Sequence, residues 1–404
     1  MKRPMMCFDG RPRSVSGPPL AVLAVVAAGV GCGNCLPRPS QAEGESATCQ
    51  LVEEGFGPEG QVAVRAEVVV RGLRVPWGLA FLSEDELLVT ERGGRLRLVR
   101  DWKLVEEPVL ELEESETSEG GLLDVVVHPD FEANRLFYLY RTVEVAGDPV
   151  NRVERYVLAA DHRSAQRDRV LVDAIPAATY HNGGRMRFGP DGMLYIGTGD
   201  ARDVDSSQDP ATPAGVILRV KPDGSAADDN PFGRRRTFII GVRNTQGFDW
   251  RDDETLLVTD HGPSGELLRR GHDEVNVAKA GANLGWPDIY GCEAKADMVS
   301  PSLVWEEAVP PGGAAIYRGD AIGPWRGDLL VGALGARHLH RVVFDSDEPR
   351  RVAHHEVYFR NEHGRLREVT MGPDGHLYVT TSNCDGRGEC PPHGDVILRI
   401  VPRD

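Results

Sequence analysis

Short apolar strands alternate with turns along most of the chain. Residues 193–196 follow the turn at residues 189–192, and their side chains alternate, with Leu194 and Ile196 on one face and Tyr195 on the other. The proline of that turn presets φ for the second position of a type I turn, and its last glycine suits the fourth. No stretch shows a sustained 3.6-residue apolar period with caps, so helices are predicted to be minor.

The same pattern, an acidic or glycine-rich turn followed by an apolar strand, recurs six times. Each copy carries a marker leucine, and these are Leu87, Leu136, Leu194, Leu256, Leu329 and Leu377. Successive markers are 49, 58, 62, 73 and 48 residues apart, intervals that fit one four-stranded blade each. The sequence therefore predicts an all-β fold, a six-bladed β-propeller in which loops from several blades converge on a central funnel.

The length of the chain bears on its architecture, and its net charge bears on the class of partner. A chain of 404 residues exceeds what one simple core supports, which favours an architecture that grows by repeats. The formal net charge of -16 argues against nucleic acid or an anionic membrane surface as the main partner. An acidic surface is compatible with a small neutral substrate.

The first 31 residues have the pattern of a signal peptide. Basic residues precede an apolar run over residues 20–30, which is too short for a comfortable membrane span. The run Gly29–Cys32 is similar to a bacterial lipoprotein cleavage box, so a lipid anchor at Cys32 and plain secretion are both open. Either route predicts a periplasmic or extracellular protein. Residues 32–60 are predicted to be a flexible tether, and residues 61–404 the propeller.

Two cysteines near the C-terminus are predicted to pair. Cys384 and Cys390 flank five residues, and an exported protein meets an oxidising compartment. A zinc site is not predicted, because the chain has no Cys-x-x-Cys pair or matching histidine spacing.

Two stretches carry polar side chains suited to a ligand. One contains His181, which either caps a turn or acts on a substrate. Another gathers a cation and two carboxamides in Arg243, Asn244 and Gln246, a set suited to a planar ligand with carboxylates and carbonyls. A solvated turn is the alternative for this second stretch.

Two further stretches suggest ion-binding sites, one for a cation and one for an anion. The loop Gly262–Pro263 exposes carbonyls near carboxylates, and such hard oxygen ligands suit Ca²⁺ better than zinc. A solvated acidic surface is the alternative. Arg365 and Arg367 fall on the same face of one strand, where both could reach one anion, although a solvent-facing pair is the commoner case.

Ordered motifs make the chain resemble a known family, the soluble quinoprotein glucose/sorbosone dehydrogenases, which include the bacterial aldose sugar dehydrogenases. The resemblance covers most of residues 65–404, and the motifs are weak singly but strong in this order. They are Val75-Pro76-Trp77-Gly78, Thr90-Glu91-Arg92-Gly93-Gly94, His181-x-Gly-Gly-Arg185, Arg243-Asn244-x-Gln246-Gly247, His261-Gly262-Pro263, Asp273-Glu274-Val275-Asn276, Gly285-Trp286-Pro287 and Arg365-x-Arg367.

The resemblance implies pyrroloquinoline quinone (PQQ) and Ca²⁺ as cofactors, an aldose sugar as substrate and an external electron acceptor. It implies that His181 takes the proton of the anomeric hydroxyl while hydride passes to C5 of PQQ, giving the lactone. The cofactor-binding residues it implies are Arg243, Asn244, Gln246, His261, Arg365 and Arg367, with Arg243 also near the carbonyl that gains charge. The implied Ca²⁺ ligands are the carbonyls of Gly262 and Pro263, with Glu274 and the Leu284 carbonyl at a second, structural site.

General chemistry agrees with these roles. Hydride removal from a carbinol needs a base, for which an imidazole is well suited. A cation and a metal ion would stabilise charge on the quinone oxygen, and the quinone itself is the electron sink.

Two positions depart from the family pattern. Gly335 stands where the family commonly has a cofactor-contacting lysine, and Arg337, two residues along, is expected to compensate. Tyr180 stands where some members carry a carboxylate that could orient the base. The departure at Gly335 motivates an alternative, a non-catalytic extracellular propeller that binds a ligand or protein. A third hypothesis is a Ca²⁺-dependent propeller lactonase, which would not need the Arg365 and Arg367 pair.

Overall fold

A computed structural model describes residues 44–114 and 118–403, which form six sheets of four or five strands and one two-stranded sheet. The six larger sheets are the blades of a β-propeller, as the repeats predict. The predicted signal peptide and Cys32 lie outside the described residues. In the part of the chain that is described, no helix has the length and apolar character needed to cross a membrane.

The first three strands of the described chain join sheets whose other strands lie much further along the sequence. They are β1 (Gly44–Glu45), β2 (Gln50–Val52) and β3 (Val64–Leu73).

Blades one to three each consist of consecutive strands. Blade one contains β4 (Pro76–Phe81), β5 (Glu86–Glu91), β6 (Arg95–Arg100), β7 (Lys103–Leu104) and β8 (Leu110–Glu111). Blade two contains β9 (Leu122–Val127), β10 (Leu136–Val145), β11 (Asp148–Leu158) and β12 (Ala165–Pro176), with the short helix α1 (Phe131–Asn134) before β10. Blade three contains β13 (Met186–Phe188), β14 (Leu194–Gly197), β15 (Ile217–Val220) and β16 (Thr237–Ile239).

Blades four and six each include a strand from the N-terminal segment. Blade four contains β17 (Gly247–Trp250), β18 (Leu256–Asp260), β19 (Asp273–Ala278) and β21 (Leu303–Trp305), and β2 joins it parallel to β21; β20 (Glu293–Ala294) pairs with β1. Blade five contains β22 (Pro311–Ile316), β23 (Leu329–Ala333), β24 (His338–Phe344) and β25 (Val352–Tyr358). Blade six contains β26 (Leu366–Met371), β27 (Leu377–Thr381) and β28 (Asp395–Pro402), and β3 completes it.

All six marker leucines lie in the second strand of their blades, which confirms the repeat assignment. These strands are β5, β10, β14, β18, β23 and β27. Helical structure in the described residues is limited to α1 and three short 3₁₀ turns at Val204–Gln208, Glu266–Leu268 and Gly323–Trp325, as the missing 3.6-residue period predicts.

Apolar side chains fill the junctions between blades. Each of six buried clusters draws its residues mainly from two adjacent blades. The junction of blades three and four, for example, packs Tyr195 against Trp250 at a ring separation of 4.6 Å. The junction of blades six and one contains Tyr378 and Leu87. Because every blade is covered on both faces, the strands carry apolar residues in near-continuous runs.

The prediction of a flexible tether is wrong for residues 44–60. Strand β2 is paired within blade four, and a disulfide joins Cys49 to Cys292. The N–H of Gly60 donates to the carbonyl of Val357 at 2.8 Å, which holds the segment on blade five. Its proline and glycine content suits a loop, but loop composition does not exclude long-range pairing of the backbone. Residues 32–43 lie outside the described part.

The outer part of blade five contains a chain of three buried histidines. Nδ1 of His338 lies 3.2 Å from the Ala336 carbonyl and must donate to it, so Nε2 of His338 accepts from Nδ1 of His340 at 3.2 Å. Nε2 of His340 in turn accepts from Nδ1 of His355 at 3.2 Å. Burial lowers the pKa of His338 to about 4 and also lowers the pKa values of His340 and His355. All three rings are therefore neutral near neutral pH.

These histidines should make the fold less stable in mild acid. Their unfolded forms bind protons below about pH 6.5, whereas the folded forms do not, so stability is lost as the pH falls from about 6.5 towards 4. Each such histidine contributes up to about 1.4 kcal/mol per pH unit in that window. We expect His355→Gln to reduce the difference in unfolding free energy between about pH 7 and about pH 5, measured by urea denaturation. The exposed His393→Gln should leave the difference unchanged, and equal slopes in all three proteins would contradict the assignment.

Candidate active site

A cavity of about 440 Å³ lies where loops from all six blades converge. This volume is in the range of small-molecule sites, about 300–1,000 Å³. Seven of the residues predicted from the sequence line it, namely His181, Arg243, Asn244, Gln246, His261, Arg365 and Arg367. The structure therefore brings together stretches that are scattered over residues 181–367 of the sequence.

His181 is held rigidly at the wall of this cavity. Its Nδ1 lies 2.7 Å from Oδ1 of Asp200, and because a carboxylate only accepts, Nδ1 carries a proton, so in the neutral ring the lone pair is on Nε2. The backbone of His181 has a φ of 65°, a conformation unusual for a residue with a side chain. Its N–H donates to Glu119 Oε2 at 3.1 Å, and its carbonyl accepts from Ala201 at 3.2 Å.

Glycines allow the His181 loop to lie against the end of blade three. A Cβ atom on Gly199 would lie 2.0 Å from the carbonyl oxygen of His181, and one on Gly183 would lie 2.5 Å from the backbone of Thr198. These close approaches explain the glycines at both positions.

Asp200 is a site residue that the sequence reasoning missed. Its Oδ1 also accepts from the N–H of Arg202 at 2.8 Å, and its Oδ2 accepts from the Trp286 indole at 2.9 Å. The carboxylate that orients the histidine thus comes from the segment just after β14 and not from position 180. Tyr180 is 39% exposed, and the guanidinium of Arg387 lies 5.7 Å from its ring. No local pattern pointed to this partner, because Asp200 lies 19 residues after His181.

A second buried carboxylate, Asp260, fixes the loop that carries Arg243 and Asn244. Its two oxygens accept from the N–H groups of Arg243 and Asn244, each at 2.7 Å, and Oδ1 also accepts from the N–H of His261 at 3.1 Å. Burial raises the pKa of Asp260 to about 7 in spite of these donors. The carboxylate holds the loop at the end of strand β18.

The side chains of Asn244 and His261 are engaged with the protein frame. Nε2 of His261 donates to the Pro311 carbonyl at 2.7 Å, which leaves Nδ1 to accept from Asn244 Nδ2 at 3.3 Å. Burial lowers the pKa of His261 to about 3, so the ring is neutral. The Asn244 carbonyl oxygen accepts from the N–H of Gly183 at 2.9 Å. Asn244 therefore ties the His181 loop to the Arg243 loop.

Arg243 is almost fully buried and faces the cavity with part of its guanidinium unsatisfied. Nη2 lies 3.0 Å from Glu266 Oε1, and Nη1 donates to the His261 carbonyl at 3.3 Å. Its Nε is buried without a hydrogen-bond partner among the described residues. Oε1 of Glu266 also lies 3.7 Å from Nε2 of His181, so the imidazole and the guanidinium point towards one place.

Arg365 and Arg367 form one wall of the cavity with Asp385. Nε of Arg365 lies 3.0 Å from Asp385 Oδ2, and Nη2 of Arg367 lies 3.7 Å from the same oxygen. Nη1 of Arg367 donates to Gln246 Oε1 at 2.9 Å. The Arg367 guanidinium lies 5.8 Å from the centre of the Trp77 ring. Of the two alternatives left open by the strand pattern, the structure shows the inward-facing pair, and the carboxylate partner Asp385 was not predicted.

Asp385 and Arg387 reach the cavity from the loop closed by the Cys384–Cys390 disulfide, which confirms the predicted pairing. Nη1 of Arg387 lies 2.9 Å from Glu119 Oε1. Burial would raise the pKa of Glu119, but the His181 N–H and the Arg387 guanidinium are among the contacts that lower it overall. A short disulfide loop beside a predicted arginine pair was a usable signal for these residues.

A fully buried ion cluster centred on Arg185 contacts Trp77 and Gln246, two residues that line the cavity. Nη1 of Arg185 lies 3.0 Å from Asp124 Oδ2 and 2.5 Å from Glu368 Oε2. Its Nε donates to the Gln246 carbonyl at 2.8 Å, and its guanidinium lies 4.5 Å from the centre of the Trp77 ring. These contacts link residues of blades one, two and six, and the segment that leads into blade four.

Arg337 does not reach this cavity, so the expectation that it compensates for Gly335 is wrong. Its side chain is exposed and lines a different cavity with residues 361–364. Its φ of 55° turns the chain at this point, and its carbonyl accepts from Asn361 at 2.8 Å. Leu334, not residue 335 or 337, contributes to the wall of the central cavity.

None of the residues predicted to bind Ca²⁺ lines the cavity, although Gly262 and Pro263 lie between the lining residues His261 and Ser264. The N–H of Gly262 donates to Asp273 at 2.9 Å, and a Cβ there would lie 1.9 Å from the Gly271 carbonyl, so only glycine fits. Burial raises the pKa of Glu274 well above its usual range, and its Oε1 accepts from Asn276 at 2.8 Å. Leu284 is buried in the junction of blades three and four. No cluster of three or more His, Cys, Asp or Glu side chains suited to a metal occurs in residues 44–114 and 118–403.

The sequence and the fold were compared with known proteins. A family model described as Glucose / Sorbosone dehydrogenase matches residues 73–398. The aldose sugar dehydrogenase YliI of Escherichia coli (strain K12) is 30% identical over 84% of this chain and 94% of its own length.

Solved structures show the same fold over nearly their whole length. The structure described as an oxidoreductase (glucose dehydrogenase) of Thermus thermophilus is 42% identical, with a TM-score of 0.77, over 84% of this chain and 100% of that one. The PQQ-bound form of the aldose sugar dehydrogenase of Streptomyces coelicolor is 31% identical, with a TM-score of 0.75, over 86% of this chain and 100% of that one.

Proposed function

Since the chain belongs to the glucose/sorbosone dehydrogenase family, we propose that it oxidises aldose sugars at the anomeric carbon to lactones, with PQQ as the electron sink. Membership of this family makes the protein an oxidoreductase of the PQQ-dependent sugar dehydrogenase type. The lactone product and the residue roles below are the proposal.

The charge of the central cavity carries the proposal. Six arginines and only three carboxylates line it, although the whole chain has a formal net charge of -16. The arginines are Arg92, Arg202, Arg243, Arg365, Arg367 and Arg387, and the acids are Glu119, Glu266 and Asp385. A positive cavity in an acidic protein favours an anionic ligand, which focused electrostatic attraction concentrates at the site.

The residues present fit PQQ, a planar molecule with three carboxylates and a quinone. The buried Nε of Arg243 lacks an acceptor among the described residues, and a ligand oxygen would satisfy it. Arg365 and Arg367 provide forked donors for carboxylates, and the Trp77 ring provides an apolar surface at the same wall. When bound, PQQ supplies a quinone carbonyl that takes up two electrons as hydride.

We propose that His181 is the catalytic base. Its Nε2 accepts the proton of the anomeric hydroxyl as the hydrogen on the anomeric carbon leaves with its electron pair. Asp200 keeps the proton on Nδ1 and so keeps the lone pair of Nε2 towards the cavity. Arg243 provides positive charge beside the place where negative charge develops.

Ca²⁺ binding is a further part of the proposal. The backbone carbonyls of Gly262 and Pro263 would hold the ion at the cavity, and Glu274 with the Leu284 carbonyl would hold a second one. The buried Oδ1 of Asn276 lacks a hydrogen-bond partner in the described structure, and its amide contacts Glu274, which supports an oxygen-rich cation site there. A bound cation would also keep Glu274 ionised.

We also propose that the protein acts in the periplasm or outside the cell. The two disulfides, Cys49–Cys292 and Cys384–Cys390, support an oxidising compartment. Mass spectrometry of the mature N-terminus would distinguish a lipoprotein processed at Cys32 from a plainly secreted protein.

Reconstitution tests the proposed function. The purified full chain, incubated with PQQ and Ca²⁺, should bind PQQ in a spectral titration and then reduce an artificial dye when aldoses are added. Removal of Ca²⁺ by a chelator should abolish dye reduction, and added Ca²⁺ should restore it. A folded protein that binds no PQQ and oxidises no sugar in a broad aldose panel would refute the proposal, and lactone hydrolysis without quinone would favour the lactonase.

A further inference from the structure

Arg92 has a rigid backbone at the rim of blade one. Its N–H donates to the Val75 carbonyl at 3.1 Å, and its carbonyl accepts from Leu122 at 2.9 Å. A Cβ on Gly121 would lie 2.3 Å from that same carbonyl, so the neighbouring chain passes as closely as a glycine allows. The backbone therefore fixes the point from which the Arg92 side chain extends.

The Arg92 head group, by contrast, has no protein partner. Its guanidinium makes no hydrogen bond and no ion pair with any residue in 44–114 or 118–403. The residue is half-buried and lines the central cavity as well as a neighbouring cavity of about 600 Å³. Partial burial of an arginine without a hydrogen-bond acceptor costs folding free energy, and a ligand that supplies the acceptor would offset this cost.

The wall around Arg92 has too few carboxylates for its cations. Arg92, Arg365 and Arg367 repel one another, Arg387 also acts on Arg92, and the carboxylates that act on Arg92 and Arg367 are those of Asp385 and Glu119. Burial and the neighbouring cations lower the pKa of Arg367 to about 9, and burial also lowers the pKa of Arg92. Four guanidinium groups, with that of Arg387, beside two carboxylates leave an excess of positive charge that an anion would balance.

We propose that Arg92 is a third anion-binding arginine of this wall and binds a carboxylate of the planar cofactor together with Arg365 and Arg367. The proposal rests on the proposed function for the identity of the cofactor. It rests on the unpartnered guanidinium alone for the anionic class of the ligand.

The test is a titration of the Arg92→Gln variant with PQQ in the presence of Ca²⁺ at fixed ionic strength. We expect the Kd for PQQ to rise roughly 10- to 100-fold, as for loss of a charge-assisted hydrogen bond. Arg92→Lys should recover part of the affinity. The matched control is Arg71→Gln, which removes the same charge from an exposed arginine outside the central cavity and should leave the Kd unchanged.

Thermal unfolding without ligand separates binding from a structural role. Because repulsion from the neighbouring arginines offsets the attraction of Asp385 and Glu119, and Arg92 makes no hydrogen bond through its guanidinium in the described structure, its removal should leave the ligand-free Tm nearly unchanged. A ligand-free Tm that falls, with an unchanged Kd, would overturn the proposal.

A second probe distinguishes a failure of the Arg92 proposal from a failure of the proposed function. Benzene-1,3,5-tricarboxylate offers planar carboxylates without a quinone, and it should raise the Tm of the wild type more than that of Arg92→Gln. If the wild type responds to this probe but not to PQQ, the proposed function fails and Arg92 still binds an anion. If wild type and Arg92→Gln respond equally to both, the proposal for Arg92 is wrong.

Discussion

The variant His181→Gln, loaded with PQQ and Ca²⁺, is expected to lose sugar oxidation by a factor of about 10²–10⁴ in kcat, the usual contribution of a general base. Glutamine fills a similar volume but cannot take up the proton of the anomeric hydroxyl. The PQQ affinity should change little, because Arg243, Arg365 and Arg367 remain in place. Steady-state dye reduction and a spectral PQQ titration measure the two quantities separately.

Two companion variants test how His181 is oriented. In Asp200→Asn one oxygen is left for the three N–H groups of His181, Arg202 and Trp286, so we expect an intermediate loss of kcat. Tyr180→Phe should keep most of the activity, because the tyrosine is partly exposed and makes no contact with the imidazole among the described interactions. Full activity of His181→Gln would refute its role as base, and inactivity of Tyr180→Phe alone would return the orienting role to position 180.

The variant Arg185→Met is expected to lower the free energy of unfolding by about 3–5 kcal/mol, the cost of leaving buried charges unpaired. Asp124 and Glu368 are both fully buried and meet at Arg185, which also bonds the segment before blade four. Methionine keeps the apolar stem of arginine but removes the charge between the two carboxylates. Urea denaturation at neutral pH measures the change.

The pH dependence of this loss identifies its cause. Burial raises the pKa of Asp124 to about 6 even with Arg185 present, and loss of the arginine should raise it further. A carboxyl whose folded pKa is raised gains stability as the pH falls, so the difference between wild type and variant should shrink from about pH 7 to about pH 5. Arg318→Met, which breaks a half-exposed pair with Asp249, should cost only about 0–1 kcal/mol. A loss that is the same at both pH values would indicate packing and not charge.

Local sequence patterns were sufficient for the fold because the propeller repeats a local unit. Leu194, for example, starts an alternating strand directly after a turn, and the same arrangement at Leu377 gives the last blade. Strand periodicity also places Arg365 and Arg367 on one face, but it does not decide between the funnel and the solvent. Seven of the predicted site residues were therefore placed correctly in one cavity.

Features that depend on distant partners could not be predicted in the same way. The partner of His181 is Asp200, which lies 19 residues further along the chain, and only the three-dimensional structure brings their side chains together. Arg337 is close to Gly335 in sequence, but its side chain is exposed and lines a different cavity. Strand β2 lies in a segment that was predicted to be a linker, and its place in blade four is set by partners more than 240 residues further along the chain, the Cys49–Cys292 disulfide and strand β21.

The pairing of β3 with β28 has a consequence for the order of folding. The last strand of the chain, Asp395–Pro402, joins a strand that is made more than 300 residues earlier. Blade six therefore stays incomplete during synthesis, while blades two and three, built from consecutive strands, can form as soon as they emerge. Closure of the ring is therefore a late, non-local step. A chain that lacks the final strand should still form its early blades. Its funnel should not assemble, because the funnel needs all six blades.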